Sequence, residues 1–339
     1  MMMNDGVSPT NYVEEVPCCP NCSSTARNVL IHDGHDLLIS KSDLEHRIVE
    51  CTDCGWIYLT PRPKPDFIQH FYPSDEYYPV SASGRRAEKS KRIITRLGSL
   101  LKKAALQIVS MPYRARFGSP TTTFEPFGQG RLLDVGCGGG EYLLSMKALG
   151  WEVYGCDLSQ QKITYTREVL GLENTICATL SELEFPDGYF DTITAWHVIE
   201  HLYDPAGELR DVHRLLRTGG RLVLGTPNPS SFEARFFGRW WIGYEIPRHL
   251  ILFTPDTLSR ALKESGFKVS RIRPSLWAAS LADSIAFFCK GALGQNIWDT
   301  KLHRALYYLL YPVASLSNFL GNWGIMEVTA TKESYPLPK

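Results

Sequence analysis

Residues 131–140 read Arg131-Leu-Leu-Asp134-Val-Gly136-Cys-Gly138-Gly-Gly140, a short apolar strand that runs straight into a glycine turn. A helix over Glu141 to Leu149 and a second strand over Glu152 to Cys156 are predicted to follow, and that strand ends on Asp157. Strand, glycine turn and helix in this order open a doubly wound α/β fold. Glycines at such a turn let the backbone approach a ligand closely. A carboxylate at the end of the second strand is placed to accept both hydroxyls of a ribose, so the ligand carries adenosine or something like it.

The glycines also discriminate between adenosine cofactors. A dinucleotide fingerprint laid on Gly136 and Gly138 needs glycine at 141, where Glu141 stands. That carboxylate would repel a pyrophosphate, and Asp134 ahead of the turn suits a ligand with a cationic amino-acid end. Both observations favour S-adenosylmethionine over a nicotinamide dinucleotide. The candidate cofactor-binding residues are Asp134, Gly136, Cys137, Gly138, Gly140, Asp157 and Leu158, together with Thr179, Leu180, Trp196 and His197 further on.

Outward from this core, 339 residues exceed one ordinary domain and divide into three parts. These are an N-terminal unit over 12–75, a basic helical linker over 76–130, and an α/β domain over 131–333. The composition, 44% hydrophobic and 21% charged, excludes a disordered chain. Thirty-six basic residues balance 36 acidic ones, which disfavours a nucleic-acid partner. The first residues lack an apolar secretory run, so a cytoplasmic location with reduced thiols is expected.

Nine cysteines do not form a disulfide pattern, but Cys19-Pro-Asn-Cys22 and Cys51-Thr-Asp-Cys54 are two C-x-x-C pairs. Four thiolates can close a tetrahedral site, and a structural zinc would stabilise a unit with too little core to fold alone. Cys18 competes with Cys19 as a ligand, and the C-P-x-C form favours Cys19. Residues 85–116 hold ten Lys or Arg against one acid, Glu88, a net +9, with Ile93, Leu97, Leu100, Ala104 and Ile108 at helical spacing. This basic amphipathic helix is suited either to an anionic membrane surface or to packing on the main domain.

The motifs in combination resemble a class I S-adenosylmethionine-dependent methyltransferase of the subgroup with an N-terminal cysteine knuckle, common among enzymes that tailor sugars, polysaccharides and lipids. The resemblance spans Cys19 to Lys332. It rests on Leu133-Asp-Val-Gly-Cys-Gly-Gly-Gly140, Gly150-Trp-Glu-Val-Tyr-Gly-Cys-Asp157-Leu-Ser159, Phe185-Pro-Asp-Gly-Tyr-Phe-Asp191, His197-Val-Ile-Glu-His-Leu-Tyr-Asp-Pro205, Leu215-Leu-Arg-Thr-Gly-Gly220 and Thr226-Pro-Asn228. It implies a Rossmann-like seven-stranded sheet with the last strand antiparallel. The remaining strands then fall near Thr175–Ala178, Phe190–Ala195, Arg221–Gly225, Phe267–Ile272 and Ile325–Thr331. Family members hold the adenine amino group with an acidic residue after the third strand. Thr179 stands there, so that contact passes to Leu180 and backbone groups.

Methyl transfer to a hydroxyl needs an aligned acceptor and a base, expected beyond the ends of the fourth and fifth strands. His249 is the first candidate and His201 the second; His197 is read as lining the cofactor beside Trp196. His197, Glu200 and His201 would share a face if helical, which leaves a metal reading open. The related quinone O-methyltransferases carry a similar E-x-x-E-H sequence at this place. The stretch after the fifth strand, with Phe232, Phe236, Phe237, Trp240, Trp241, Tyr244, Arg235, Arg239 and Arg248, mixes aromatic faces with guanidinium groups suited to sugars and phosphates. A helical lid insertion over 275–322 carries two apolar stripes, one through Trp277, Leu281, Ile285 and Phe288 and one from Leu302 to Leu320. With 85–116 it is a candidate for peripheral membrane contact. The expected acceptor is a sugar, nucleotide-sugar or lipid-linked saccharide. The alternatives are RNA, a quinone or other small molecule, and a non-catalytic binding protein with a vestigial pocket.

Overall fold

The computed structural model describes residues 9–38, 44–72, 130–275, 279–298, 300–321 and 324–333. The basic helix expected over 85–116 lies outside the described residues.

The glycine-turn stretch is the centre of the main sheet. Strand β6 (Arg131–Val135) pairs in parallel with β7 (Glu152–Asp157) on one side and β9 (Phe190–Trp196) on the other. Leu132 and Leu133 are both buried, one on each face, as a strand covered on both sides requires. Strand β8 (Thr175–Cys177) extends one edge; β10 (Leu216–Pro227), β13 (Ile325–Lys332) and β12 (Phe267–Pro274) extend the other. The order is β12-β13-β10-β9-β6-β7-β8, with β13 antiparallel to both neighbours. This is the seven-stranded sheet with the last strand antiparallel that the motifs imply. β10 starts earlier than expected because the Leu216–Gly220 turn pairs with Phe190 before a register shift at Arg221.

Helix α1 (Glu141–Ala148) follows the glycine turn, and α2 (Gln160–Glu168) follows β7, capped by the Ser159 side chain. Helix α3 (Pro205–Leu215) starts on an Asp204 cap with proline in its first turn. After β10 come the short helix α4 (Phe232–Phe237), strand β11 (Ile251–Leu252) and helix α5 (Pro255–Glu264). As Thr254-Pro-Asp-Thr257 predicts, the Thr254 side chain accepts from the Thr257 N–H; Gly266, at φ +81°, ends the turn.

The N-terminal unit contributes β1 (Val13–Glu14), β2 (Arg27–Gly34), β3 (His46–Cys51), β4 (Ile57–Thr60) and β5 (Arg62–Pro63). Its four-stranded sheet runs β11-β4-β3-β2, so its edge is closed by a strand from the insertion after β10. Trp56 meets Phe253 edge to face at 5.1 Å, and one buried cluster runs from Ile48, Trp56 and Tyr58 into Leu250, Phe253 and Leu258. Burial on both sides of that junction joins the two units into a shared core.

The insertion between β12 and β13 forms two helices, α6 (Ala279–Leu293) and α7 (Lys301–Phe319). Their inward faces are not the expected apolar stripes. Helix α6 buries Ser280, Ser284 and Phe287, and Phe288 stays exposed; α7 buries Ala314, Ser315 and Asn318. Leu302, Leu309, Val313, Leu316 and Leu320 are each more than half exposed, all on one side of α7. Small residues win the interface because they let the helices approach closely and because their polar atoms find partners. Ser284 Oγ donates to the Ser280 carbonyl at 2.7 Å, and Asn318 Nδ2 donates to the Ser275 carbonyl at 2.9 Å. No helix among the described residues is long and apolar enough to cross a membrane.

Candidate active site and cysteine centre

The glycine turn is built for close approach. Gly136 and Gly138 sit at φ +68° and +54°, a conformation that side chains disfavour. A Cβ on Gly136 would lie 2.6 Å from Val198 Cγ2, whereas one on Gly138 would meet nothing within 4 Å, so Gly138 borders open space. Asp157 points back at this turn: its Oδ2 accepts from Gly138 N and its Oδ1 from Ser159 N, both at 2.9 Å. The two carboxylate oxygens keep their remaining lone pairs for a ligand.

Asp134 is buried at 3% exposure and accepts from Thr194 Oγ1 at 2.6 Å. Burial pushes its carboxyl up to about 7 against that hydrogen bond, and the charge of Asp157 adds to the rise. Two acids facing one cradle form an environment that a cationic ligand end relieves, which fits S-adenosylmethionine and disfavours a diphosphate. Around the cradle, Leu158 is 62% exposed, Thr179 caps a short turn by donating to Glu182, and Leu180 points into the core. Cys137 is buried beneath the turn, and burial raises its thiol. Gly140, at φ +79°, precedes α1. Trp196 packs over Gly225 and meets Tyr142 at 5.6 Å.

The histidines gather at the C-terminal ends of β9 and β10. His197 takes φ +56° and donates from Nδ1 to Glu200 Oε1 at 3.2 Å. Glu200 is wholly buried and also accepts from Thr226 Oγ1 at 3.0 Å. Burial alone would raise its carboxyl, but the His197 hydrogen bond and charge bring it down to about 2. Residues 199–201 form a single 3-10 turn rather than an α-helix. The three groups within 4.8 Å of one another are therefore Glu200, His201 and His249, with His249 in the place expected of His197.

His201 and His249 stand edge to face at 4.7 Å. The Nδ1 of His201 lies 3.0 Å from the Arg248 carbonyl, and that of His249 lies 2.8 Å from the Gly243 carbonyl. A carbonyl only accepts, so each Nδ1 carries the proton and each Nε2 offers a lone pair. Such a pair can take a proton from a hydroxyl or, with Glu200, converge on a divalent cation.

Burial pushes His201 down to about 3 and His249 down to about 4. An unfolded histidine titrates near 6.5, so as pH falls from 6.5 toward 4 the unfolded chain takes up protons that the folded chain refuses. Stability drops through that window by up to about 1.4 kcal/mol per pH unit for each histidine. Thermal melts of wild type and His249→Gln between pH 7.5 and 4 should differ in slope, with wild type the steeper. Parallel profiles would show that His249 is not held neutral.

Three further residues were not legible as site residues in the sequence. Glu245, at φ +30°, places its carboxylate 3.7 Å from His249 Nε2, and Tyr72 Oη lies 2.8 Å from His201 Nδ1. Asp36 reaches Arg248 from the N-terminal unit. Arg248 is therefore not a fork for a substrate anion, as its aromatic surroundings implied, but is spent on a carboxylate of its own chain. Trp241 and Tyr244 are likewise core. Arg235, Phe236, Arg239 and Trp240 line an open cavity of about 390 Å³ against β2.

The four cysteines also meet. Cys19 and Cys54 sulfurs are 3.4 Å apart, Cys22 and Cys51 sulfurs 3.5 Å, and all four lie within 4.8 Å of one another; Cys18 is outside the group. Burial raises the Cys19 thiol and Cys22 is raised as well, whereas at Cys51 the N–H groups of Cys54 and Asp53 and the neighbouring thiols outweigh burial and bring it to about 7. Backbone donors aimed at sulfur favour thiolates, so this donor set fits a tetrahedral cation such as zinc.

A seven-stranded mixed sheet in this order with its last strand antiparallel, a glycine turn and a carboxylate closing the second strand define a class I S-adenosylmethionine-dependent methyltransferase. The chain belongs to the methyltransferase-domain family, which matches residues 85–272, more than half its length. It is 31% identical over 199 residues to a protein named ubiquinone biosynthesis O-methyltransferase from a Ruegeria species, covering 54% of this chain and 81% of the relative. A protein of the same name from Ruegeria pomeroyi is 32% identical over 199 residues, covering 54% and 80%. A solved S-adenosylmethionine-dependent methyltransferase from Mesorhizobium loti aligns with a TM-score of 0.42 at 19% identity, over 68% of this chain and 96% of the other.

Proposed function

We propose that the chain transfers the methyl group of S-adenosylmethionine to a hydroxyl of a small molecule of the saccharide type: a sugar, nucleotide-sugar or lipid-linked saccharide. The observation that carries this reading is the facing pair His201 and His249, each with an unprotonated Nε2 beyond the ends of β9 and β10. O-Methylation of a hydroxyl requires such a base, and His249 or His201 holds the proton that leaves the acceptor. The aromatic and guanidinium side chains of Phe236, Trp240 and Arg235 support a saccharide by their chemistry, since aromatic faces stack on sugar rings and guanidinium groups bind phosphate; the open cavity they line shares no residue with the histidine cluster.

The bound cofactor supplies an electrophilic methyl group. Asp157 would hold its ribose hydroxyls, Asp134 its cationic end, and the 136–140 backbone would lie against it. Leu158, Thr179 and Leu180 would border the adenine; Trp196 and His197 would line the transfer end. Cys19, Cys22, Cys51 and Cys54 would hold a structural zinc in the N-terminal unit. The division into 12–75, 76–130 and 131–333, with a lid over 275–322, belongs to the same proposal.

A quinone-type phenol is the second reading, favoured by the naming of the relatives at about one-third identity. A panel of nucleotide-sugars, lipid-linked saccharides, polyprenyl phenols and RNA, incubated with methyl-labelled cofactor, separates the readings. Label in the saccharides, reduced at least about a hundredfold in kcat by His249→Ala, is expected. Label only in the phenols would transfer the assignment to the quinone type.

The exposed apolar side of α7 carries no acidic residue, and with the net positive 85–116 segment it supports peripheral contact with an anionic membrane. Flotation with vesicles should then depend on anionic lipid, and equal recovery with neutral vesicles would count against it.

A further inference from the structure

The two acceptor-side histidines are held by residues distant in sequence. Arg248 is 0% exposed, and its guanidinium is fully engaged: Nη1 donates to Asp36 Oδ2 at 3.0 Å and to the Phe71 carbonyl at 3.1 Å. Nη2 donates to Asp36 Oδ1 at 3.1 Å, and Nε to Glu245 Oε1 at 3.1 Å. The Glu245 carbonyl accepts from Arg248 N at 2.8 Å and from His249 N at 3.3 Å, closing the turn that carries His249, and the Arg248 carbonyl accepts from His201 Nδ1. One residue thus fastens its side chain to the N-terminal unit, its carbonyl to His201 and its peptide link to His249. Tyr72, from the same unit, meets His201 independently. Leu250, next in the chain, donates to the Glu200 carbonyl at 2.8 Å and accepts from Leu59 N at 3.0 Å, which ties the same loop to β4.

We propose that the N-terminal unit is a working part of the acceptor site: Asp36 positions His249 through Arg248 and Glu245, and Tyr72 positions His201. This rests on the reading of those histidines as the acceptor-side base. A buried ion pair is a poor device for stability alone, because desolvating the charges costs about what their attraction returns. It is a good device for geometry, since a bidentate guanidinium–carboxylate fork fixes direction as well as distance. Glu245 takes a left-handed φ of +30° where it starts that turn, so its side-chain pairing with Arg248 and its carbonyl's bond to His249 N set the turn together. Among the described residues, the cofactor cradle receives no such support. Asp157 is bonded to Gly138 and Ser159, and Asp134 to Thr194, all within the main sheet and its turns. Loss of the N-terminal clamp should therefore leave cofactor binding intact and impair transfer.

The test uses full-length protein carrying Asp36→Asn, which leaves Arg248 paired one to one with Glu245, and separately Tyr72→Phe. Affinity for S-adenosylmethionine should stay within about twofold of wild type in both, while kcat on the acceptor falls by about ten- to a hundredfold. Asp36→Glu should recover part of the loss. Imidazole 15N spectra give a readout independent of the acceptor, and the His249 signals should move in Asp36→Asn and those of His201 in Tyr72→Phe. Unchanged imidazole spectra, or a kcat equal to wild type, would overturn the inference. So would cofactor affinity lost in parallel with melting temperature, which would mark a purely structural clamp. If wild type methylates nothing in the panel, the function reading fails by itself, and the imidazole spectra still decide this one.

Discussion

Asp157→Ala should raise the dissociation constant for S-adenosylmethionine roughly a hundredfold. Two hydrogen bonds from ribose hydroxyls to this carboxylate would contribute together about 3 kcal/mol, and each 1.4 kcal/mol is about tenfold in affinity. The same carboxylate also holds the cradle open, because its oxygens accept from Gly138 N and Ser159 N. Alanine leaves both N–H groups without that partner and lets the turn at Gly138 relax. Titration calorimetry with S-adenosylmethionine is the direct measurement. Asp157→Asn, which keeps an acceptor and loses the charge, should fall between wild type and alanine. An alanine variant that binds the cofactor with wild-type affinity would remove Asp157 from the site.

Cys51→Ser should lower bound zinc from about one ion per chain to near zero and destabilise more than the N-terminal unit. Metal binding by a small cysteine knuckle is folding energy, on the order of 10 kcal/mol in isolated zinc-binding peptides, because the unfolded chain has no preformed site. Cys51 ends β3, and its carbonyl accepts from Gly55 N in the turn that brings Cys54 round. The next strand, β4, pairs with β11 through Tyr58–Ile251 and Ile57–Leu252, and His249 lies two residues before that pairing. Damage at the knuckle should therefore reach the acceptor-side histidines. Elemental analysis of the purified variant, with melts before and after chelation, tests both parts. Metal content equal to wild type would exclude these cysteines as the zinc site.

Much of this molecule could be read locally. The 131–157 stretch shows its strands, turn and helix in apolar runs, glycines and a terminal carboxylate, because a strand buried on both faces and a turn at positive φ each restrict which residue types fit. The capped helix after Thr254 was legible for the same reason: its signals lie within one turn of the chain. The two C-x-x-C pairs announced a four-cysteine cluster, since two such pairs in one small unit match the spacing of a tetrahedral metal site.

The lid was less legible. Apolar spacing located its helices but pointed to the wrong faces, because periodicity records where leucines lie and not which neighbour can approach. On α7, Ala314, Ser315 and Asn318 face inward and the leucines face out.

What the sequence determined by itself was the class of enzyme, since the glycine turn and the carboxylate that closes the second strand sit in one βαβ unit whose spacing is set by backbone geometry. What only the tertiary structure decided was the meeting of the histidines with the N-terminal unit. His201 meets the Arg248 carbonyl across 47 residues of sequence separation and faces His249 one residue further on, and Asp36 reaches Arg248 across 212. Those meetings follow from β11 entering the N-terminal sheet, a long-range pairing driven by a shared buried core, and no local pattern of residues encodes it.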